Sequence, residues 1–136
     1  MVDDALIKEL TRDEGLRLKP YTDTVGKLTI GVGRNLSDVG ISIAEANAML
    51  LADIRRAEVD LDRNLPWWRH LSEKRQRVLT NMCFNMGITR LLKFERMLAA
   101  INAGKFEDAA LEMLRSKWAG QVGDRAKRLA AMMEEG

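Results

Sequence analysis

Glu14-Gly15-Leu16-Arg17-Leu18-Lys19-Pro20-Tyr21-Thr22-Asp23-Thr24-Val25-Gly26-Lys27-Leu28-Thr29-Ile30-Gly31-Val32-Gly33 is the stretch of this chain that reads as strand and turn, and the rest is organised around it. Leu16 and Leu18 fall in one phase while Arg17, Lys19, Tyr21 and Asp23 fall in the other, which is the period-two alternation of a strand. Pro20 has no amide hydrogen to give a ladder, so it places this strand at a sheet edge or a bend. Asp23-Thr24-Val25-Gly26-Lys27 reads as a turn, with Gly26 free to take positive φ. In the next strand Leu28, Ile30 and Val32 share a branched apolar face, expected to pack a core. Thr29, Gly31 and Gly33 share a nearly bare face that lets another group approach the backbone closely. The same glycines also suit a bulge or a bend.

Outward from this segment the spacing becomes helical. On the N-terminal side, residues 3–13 carry Ala5, Leu6, Ile7 and Leu10, with Asp3 and Asp4 at the positive end of the helix dipole. The predicted helix ends near Glu14-Gly15. On the C-terminal side, Ser42-Ile43-Ala44-Glu45 is a capping box, with Ile41 available as a staple against Ala46. Ile43, Ala46, Leu50, Ile54, Ala57, Leu61 and Leu65 step by three and four, which predicts a helix of roughly twenty residues stopped by Pro66. Ser72 caps a second helix through Val78, Leu79, Met82, Cys83 and Met86, closed by Gly87. Thr89 opens a third with Leu91, Phe94, Leu98 and Ile101, ended by Gly104. A fourth carries Phe106, Ala109, Ala110, Met113, Leu114 and Trp118, and is broken by Gly120 and Gly123 before a last helix from Asp124 to Glu135. The class is α+β and mostly helical. A single domain, 1–136, is divided into a small mixed lobe at about 14–41, a connecting helix at about 42–65, and a helical lobe of 66–136 joined by the helix at 3–13.

Composition limits the chemistry. The 136 residues suffice for one domain with a sizeable core, and 46% hydrophobic and 31% charged residues with two prolines exclude a disordered or low-complexity chain. Cys83 is the one cysteine and His70 the one histidine, so no intramolecular disulfide, no zinc cluster and no Cys–His nucleophile pair is expected. The formal net charge of +2 is small for a dedicated nucleic-acid binder. Arg115, Lys117, Arg125, Lys127 and Arg128 gather late in the chain, offset by Glu134 and Glu135. They suit either an anionic polymer or an ordinary solvated helix surface. No apolar run is long enough to cross a bilayer, and Met1-Val2-Asp3-Asp4-Ala5-Leu6 has no apolar signal core, so the expectation is a soluble chain made in the cytoplasm.

Carboxylates, hydroxyls and arginines are then the catalytic groups left. Thr11-Arg12-Asp13-Glu14 formally fits a capping box, but Gly15 and strand-like alternation follow it, so capping explains Glu14 poorly. Asp23, nine residues later, is either a plain turn aspartate or one that folds back toward the helix end. Thr29 stands six residues further on, on the bare face. Two carboxylates and a hydroxyl beside a glycine-lined strand suit cleavage of a glycosidic bond. A protonated Glu donates to the leaving oxygen, and an ionised Asp steadies positive charge or helps place a water. Cys83 on an apolar stripe reads as a packed thiol, and His70 as a surface or capping histidine. Trp67-Trp68 reads as an interhelical anchor before a sugar-stacking surface, and Met82, Met97 and Met113 as core filling.

The segment from Glu14 to Gly33, with eight residues between Glu14 and Asp23 and five between Asp23 and Thr29, closely resembles the signature of the phage-type lysozymes, or endolysins. The resemblance continues through Asn81-Met82-Cys83-Phe84-Asn85-Met86-Gly87, Ser116-Lys117-Trp118 and Arg125-Ala126-Lys127-Arg128. It implies a lysozyme-like two-lobed fold, with a small β-hairpin or sheet lobe and a larger helical lobe joined by a long helix. It also implies muramidase action on peptidoglycan, between N-acetylmuramic acid and N-acetylglucosamine, by a monomer that uses no cofactor or metal, binds no nucleic acid and has no stable membrane association. By the same match Glu14 is the general acid, Asp23 flanks the anomeric carbon from the opposite side, and Thr29 holds the attacking water. The family is described as inverting, so the two carboxyl groups should stand about 6.5–9.5 Å apart. Gly31, Phe84, Asn85, Met86 and Trp118 are implied to bind substrate, and Arg125 to pair with Glu14. Such a cation lowers an acid's pKa while burial raises it. The chain departs from the pattern at Arg34, where relatives often carry His, so a His–Asp pair is absent there. It departs also at Asn85 in place of Gln, at Gly120 in place of a polar residue, and in a short linker from Leu36 to Ile41, which leaves no room for an extra hairpin region. The implied site of action is peptidoglycan in the periplasm, reached from the host cytoplasm once another protein permeabilises the membrane. Two other readings stand beside this one: a lytic transglycosylase acting on the same bond, and a non-catalytic binder of cell wall or nucleic acid that uses the late basic helices.

Overall fold

The computed structural model describes residues 2–136. Two compact units make up the chain, Met1–Ala48 and Met49–Gly136. The first begins with helix α1 (Asp4–Glu14), whose N-cap Asp3 accepts the Leu6 amide at 2.8 Å. Gly15 ends it, donating its amide to the Thr11 carbonyl at 2.8 Å. Three strands follow, β1 (Arg17–Thr22), β2 (Leu28–Gly31) and β3 (Arg34–Asn35), forming one antiparallel sheet in the order β1-β2-β3. Pro20 lies on the edge strand β1, where the register with β2 shifts between Arg17 and Tyr21, as a residue without an amide hydrogen requires.

The strand expected to run to Gly33 ends at Gly31. Val32 and Gly33 form a tight turn into β3 instead. The expected burial of this strand is also reversed. Thr29 is 4% exposed, whereas Leu28 and Val32 of the supposed core face are 44% and 41% exposed. Position in the ladder accounts for this: Thr29 is paired on both sides, with Tyr21 and with Asn35, while Leu28 opens the strand and Val32 lies in the turn beyond it. Among the described residues of this unit Thr29 is the only one fully buried, and hydrogen bonds carry the local structure. Ser37 Oγ accepts the Leu28 amide at 2.9 Å, Leu36 donates to the Leu28 carbonyl at 2.7 Å, and Asn35 and Asp38 exchange two bonds of 3.0 Å.

Helix α2 (Ile43–Asn64) opens with the predicted capping box. Glu45 donates its amide to Ser42 Oγ at 3.1 Å, and Ser42 returns its own amide to Glu45 Oε1 at 2.9 Å. Its apolar stripe is continuous in sequence but not in burial: Ile43 is 82% exposed, and full burial starts only at Ala57. The first turns belong to a unit with no buried apolar layer, and the later ones face the helices that do have one.

Those helices are α3 (Glu73–Met86), α4 (Ile88–Leu91), α5 (Glu95–Asn102), α6 (Phe106–Arg115), α7 (Lys117–Val122) and α8 (Asp124–Glu135), preceded by a single 3-10 turn at Trp68–His70. Helix α6 packs between α5 and α8, α3 packs on α8 and α4, and α7 packs on α8 and α6. Trp68, Leu61, Leu79, Met82, Met97, Met113, Trp118 and Met133 are among the largest parts of one core running from Ala57 to Met133. Each such side chain contributes on the order of 1.5–3 kcal/mol by leaving water. Arg75 binds three helices together. It donates Nε to the Met133 carbonyl at 2.7 Å and Nη2 to that of Glu134 at 2.9 Å, while its guanidinium lies 3.4 Å from the Phe106 ring centre.

Two predicted helices are split. The third is α4 followed by α5, because Phe94 takes ψ 55 and interrupts the turn, and its N-cap is Gly87, not Thr89. The fourth breaks at Ser116, which takes ψ 157 and caps α7 by accepting the Ala119 amide at 3.2 Å. Gly120 therefore lies inside α7, and Gly123, at φ 59, makes the break that precedes α8. Cys83 is buried, with its thiol 3.8 Å from the Ala57 carbonyl, and burial pushes the pKa of that thiol up. Trp68 is buried and donates to Asp62 at 2.7 Å, as an anchor should, and His70 is exposed.

Candidate active site

Glu14 is the last residue of α1, immediately before the chain reverses into β1. Its carboxylate lies directly over Gly33. A Cβ at that glycine would stand 2.8 Å from Glu14 Oε2 and 3.1 Å from Glu14 Cδ, so no residue with a side chain fits there without moving the acid. A close approach occurs at one of the positions expected to be bare, Gly33 in the turn, and the approaching group is the chain's own carboxylate. Gly31 is different: nothing lies within 4 Å of where its Cβ would be. Both glycines were visible in the sequence. Which of them shelters Glu14 was not, because that depends on the turn that separates Gly33 from β2.

Asp23 is held by the turn it starts. Its Oδ1 accepts the Val25 amide at 3.0 Å and the Lys27 amide at 2.8 Å, and its own amide donates to the Lys27 carbonyl at 2.9 Å. The turn role and a chemical role are compatible, since Oδ2 has no hydrogen-bond partner among the described residues. Thr29 donates its hydroxyl to the Lys27 carbonyl at 3.0 Å. With the proton committed, the lone pairs of Oγ1 are what it can offer to a water.

Arg34, where the His–Asp pair was expected to be missing, forms a different pair. Its guanidinium grips Glu45 through both nitrogens, Nη1 to Oε1 at 2.8 Å and Nη2 to Oε2 at 2.6 Å, and Nη1 also reaches the Gly40 carbonyl at 3.1 Å. The Arg34 bonds, followed by those from Ser42, hold the Glu45 carboxyl down to about 2. Sequence reading missed Glu45 here because its capping role already accounted for it.

In the second unit, Trp118 Nε1 donates to Asn85 Oδ1 at 2.8 Å, and Phe94 meets the Trp118 ring edge-on with centroids 6.3 Å apart. Trp118 and Met86 line one groove of about 680 Å³, together with Phe94, Arg90, Lys93 and Lys117. Phe84 and Arg125 line a second groove of about 660 Å³ with Leu50, Ile54, Trp68 and Asn81. Phe84 and Met86 part because residues two apart on a helix point to nearly opposite sides. Arg125 donates Nε and Nη2 to Asn81 Oδ1 at 2.9 and 2.7 Å. The sequence had put Asn81 in a motif without giving it this task.

A carboxylate at a helix end, and a second in a turn whose Lys27 carbonyl also receives the buried Thr29 hydroxyl, are the equipment of a glycoside hydrolase. The profile of the Phage lysozyme family matches residues 11–134. The chain belongs to the phage lysozyme family. It is 32% identical to the pre-baseplate central spike protein Gp5 of Enterobacteria phage T4 over 97% of its own length, although it spans 28% of that protein. It is 27% identical to the probable T4-type lysozyme 1 of Dictyostelium discoideum, covering 96% of this chain and 94% of that one. With the SAR-endolysin of Escherichia phage Mu it shares 30% identity, over 90% of this chain and 78% of the other.

Proposed function

We propose that the chain is an endolysin of the muramidase type, hydrolysing the β-1,4 bond between N-acetylmuramic acid and N-acetylglucosamine in peptidoglycan and so lysing a bacterial cell. The placing of Glu14 over Gly33 is the observation that carries this reading, because it sets a carboxylate against a turn with no side chain in the way and leaves it exposed to a ligand. Glu14 donates its proton to the bridging oxygen. Asp23, its direction set by two amides, offers Oδ2 to the positive charge that develops at the anomeric carbon and takes up the proton that the attacking water loses. Thr29, whose own proton is engaged, accepts from the attacking water and turns a lone pair of that water toward the carbon. Attack on the face opposite the leaving group inverts the configuration, for which a carboxyl separation of about 6.5–9.5 Å is suited.

Arg125, implied by the family resemblance as the partner of Glu14, is oriented by Asn81. Gly31, Phe84, Asn85, Met86 and Trp118 contact the sugar chain. The Asn85–Trp118 bond supports this by giving the indole a fixed plane. Residues 14–41 are assigned to the small lobe, 42–65 to the connecting helix and 66–136 to the helical lobe. The enzyme acts as a monomer on peptidoglycan in the periplasm, reached from the host cytoplasm. Relatives named as endolysins support the reading of the chain as an endolysin.

Digestion of purified peptidoglycan with product analysis by mass spectrometry tests the reaction. Hydrolysis leaves reducing N-acetylmuramic acid ends. Anhydro ends would transfer the chain to the lytic transglycosylases, and an undigested wall that still adsorbs the protein would make it a binding module.

A further inference from the structure

We propose that Arg34 is a positioning residue for the acid: its two-pronged grip on Glu45 holds the Gly33 backbone in the place where the Glu14 carboxylate rests. The inference relies on the reading of Glu14 as the proton donor and adds what keeps that donor in register. All of its parts lie within the first unit, between Glu14 and Glu45.

The capping box at the start of α2 needs only Ser42 and Glu45, and both of its bonds form without Arg34. Arg34 is thus an addition to a cap that is already complete. Its guanidinium gathers three separate pieces of chain: β3, the Gly40 carbonyl and the first turn of α2. A planar fork on a carboxylate fixes orientation as well as distance, which a single ammonium contact does not. On the other side Arg34 pairs across the ladder with Ile30. The residue next to Gly33 is therefore held from two directions.

At Gly33 small displacements matter. A Cβ added at Gly33 would stand 2.8 Å from Glu14 Oε2, so the carboxylate occupies the volume that the absent side chain leaves free. A turn that shifts relative to α1 moves the surface against which the carboxylate lies, and misplacement on the scale of 1 Å costs up to about a hundredfold in rate. The ordinary alternative is that the fork only stabilises the loop at 36–40. These roles separate in kinetics, since a loop brace changes the melting temperature and leaves turnover of the folded enzyme alone.

The test uses the full chain with Arg34→Lys, Arg34→Met and Glu45→Gln, assayed on purified peptidoglycan well below each melting temperature. Glutamine at residue 45 still completes a capping box. The Gly33 amide is followed by NMR in parallel. Expected are a kcat lowered about tenfold in Arg34→Met and Glu45→Gln with KM within about twofold, a smaller loss in Arg34→Lys, and a displaced Gly33 amide resonance at unchanged helix content. A kcat within about twofold of the parent in Arg34→Met, or a loss confined to KM, overturns the proposal. Glu14→Gln run alongside keeps the two readings apart. A fully active Arg34→Met beside an inactive Glu14→Gln removes only the role of the fork, whereas an active Glu14→Gln removes the acid.

Discussion

Gly33 shows how one residue joins sequence to chemistry. It takes φ +68, and the Glu14 carboxylate occupies the space where a side chain would go. Gly33→Ala therefore meets two separate costs. The left-handed backbone disfavours alanine by roughly 1–2 kcal/mol, and the new methyl displaces the acid. We expect a melting temperature a few degrees lower and a kcat on peptidoglycan lowered at least about tenfold, measured on protein that is still fully folded. A variant that loses stability but keeps the parent kcat would show that Glu14 does not need this seat. The residue types were legible beforehand: the spacing of Glu14, Asp23 and Thr29 and the bare face were all in the sequence. Burial was not. Thr29 is the covered position and Leu28 and Val32 the open ones, because a centre-strand residue in so small a sheet is flanked on both sides whatever its polarity.

Elements were legible where a side chain or a glycine sets the boundary. Ser42 and Ser72 cap the helices they were expected to cap, Asp3, read only as a charge at the helix dipole, caps α1, and Gly15 and Gly87 end theirs. Interruptions inside apolar spacing were not legible, since Phe94 and Ser116 leave the helical path without any break in the stripe around them. Ser116 is the more consequential. Its hydroxyl accepts the Ala119 amide and donates to the Met113 carbonyl at 2.7 Å, so one side chain both ends α6 and starts α7, the helix that carries Trp118. Ser116→Ala should cost about 1 kcal/mol in chemical denaturation, the usual value of an N-cap. An unchanged midpoint would mean that packing alone sets the break between the two helices.

Over the whole chain, stability and chemistry are differently distributed. The buried apolar core lies between Ala57 and Met133, while the first unit relies on caps, a short ladder and the Arg34–Glu45 fork. That predicts a particular response to acid. Bonds from Arg34, then from Ser42, lower the Glu45 carboxyl from 4.5 to about 2 in the folded chain. A depressed carboxylate stabilises the fold fully above its unfolded value and loses that contribution as pH falls through the folded one. Part of the melting temperature should thus be lost between pH 4.5 and about 2 in the parent, and less of it in Glu45→Gln. Identical acid profiles would show that Glu45 is equally free in the folded and unfolded chain.

The most direct measurement is release of reducing ends from purified peptidoglycan by Glu14→Gln, with circular dichroism and thermal unfolding recorded on the same sample. A carboxamide has the same shape but no proton to give to the bridging oxygen, so sugar release should fall to background while the spectrum and melting curve match the parent. Release within about tenfold of the parent rate, where loss of a general acid costs a hundredfold or more, would show that some other group delivers the proton.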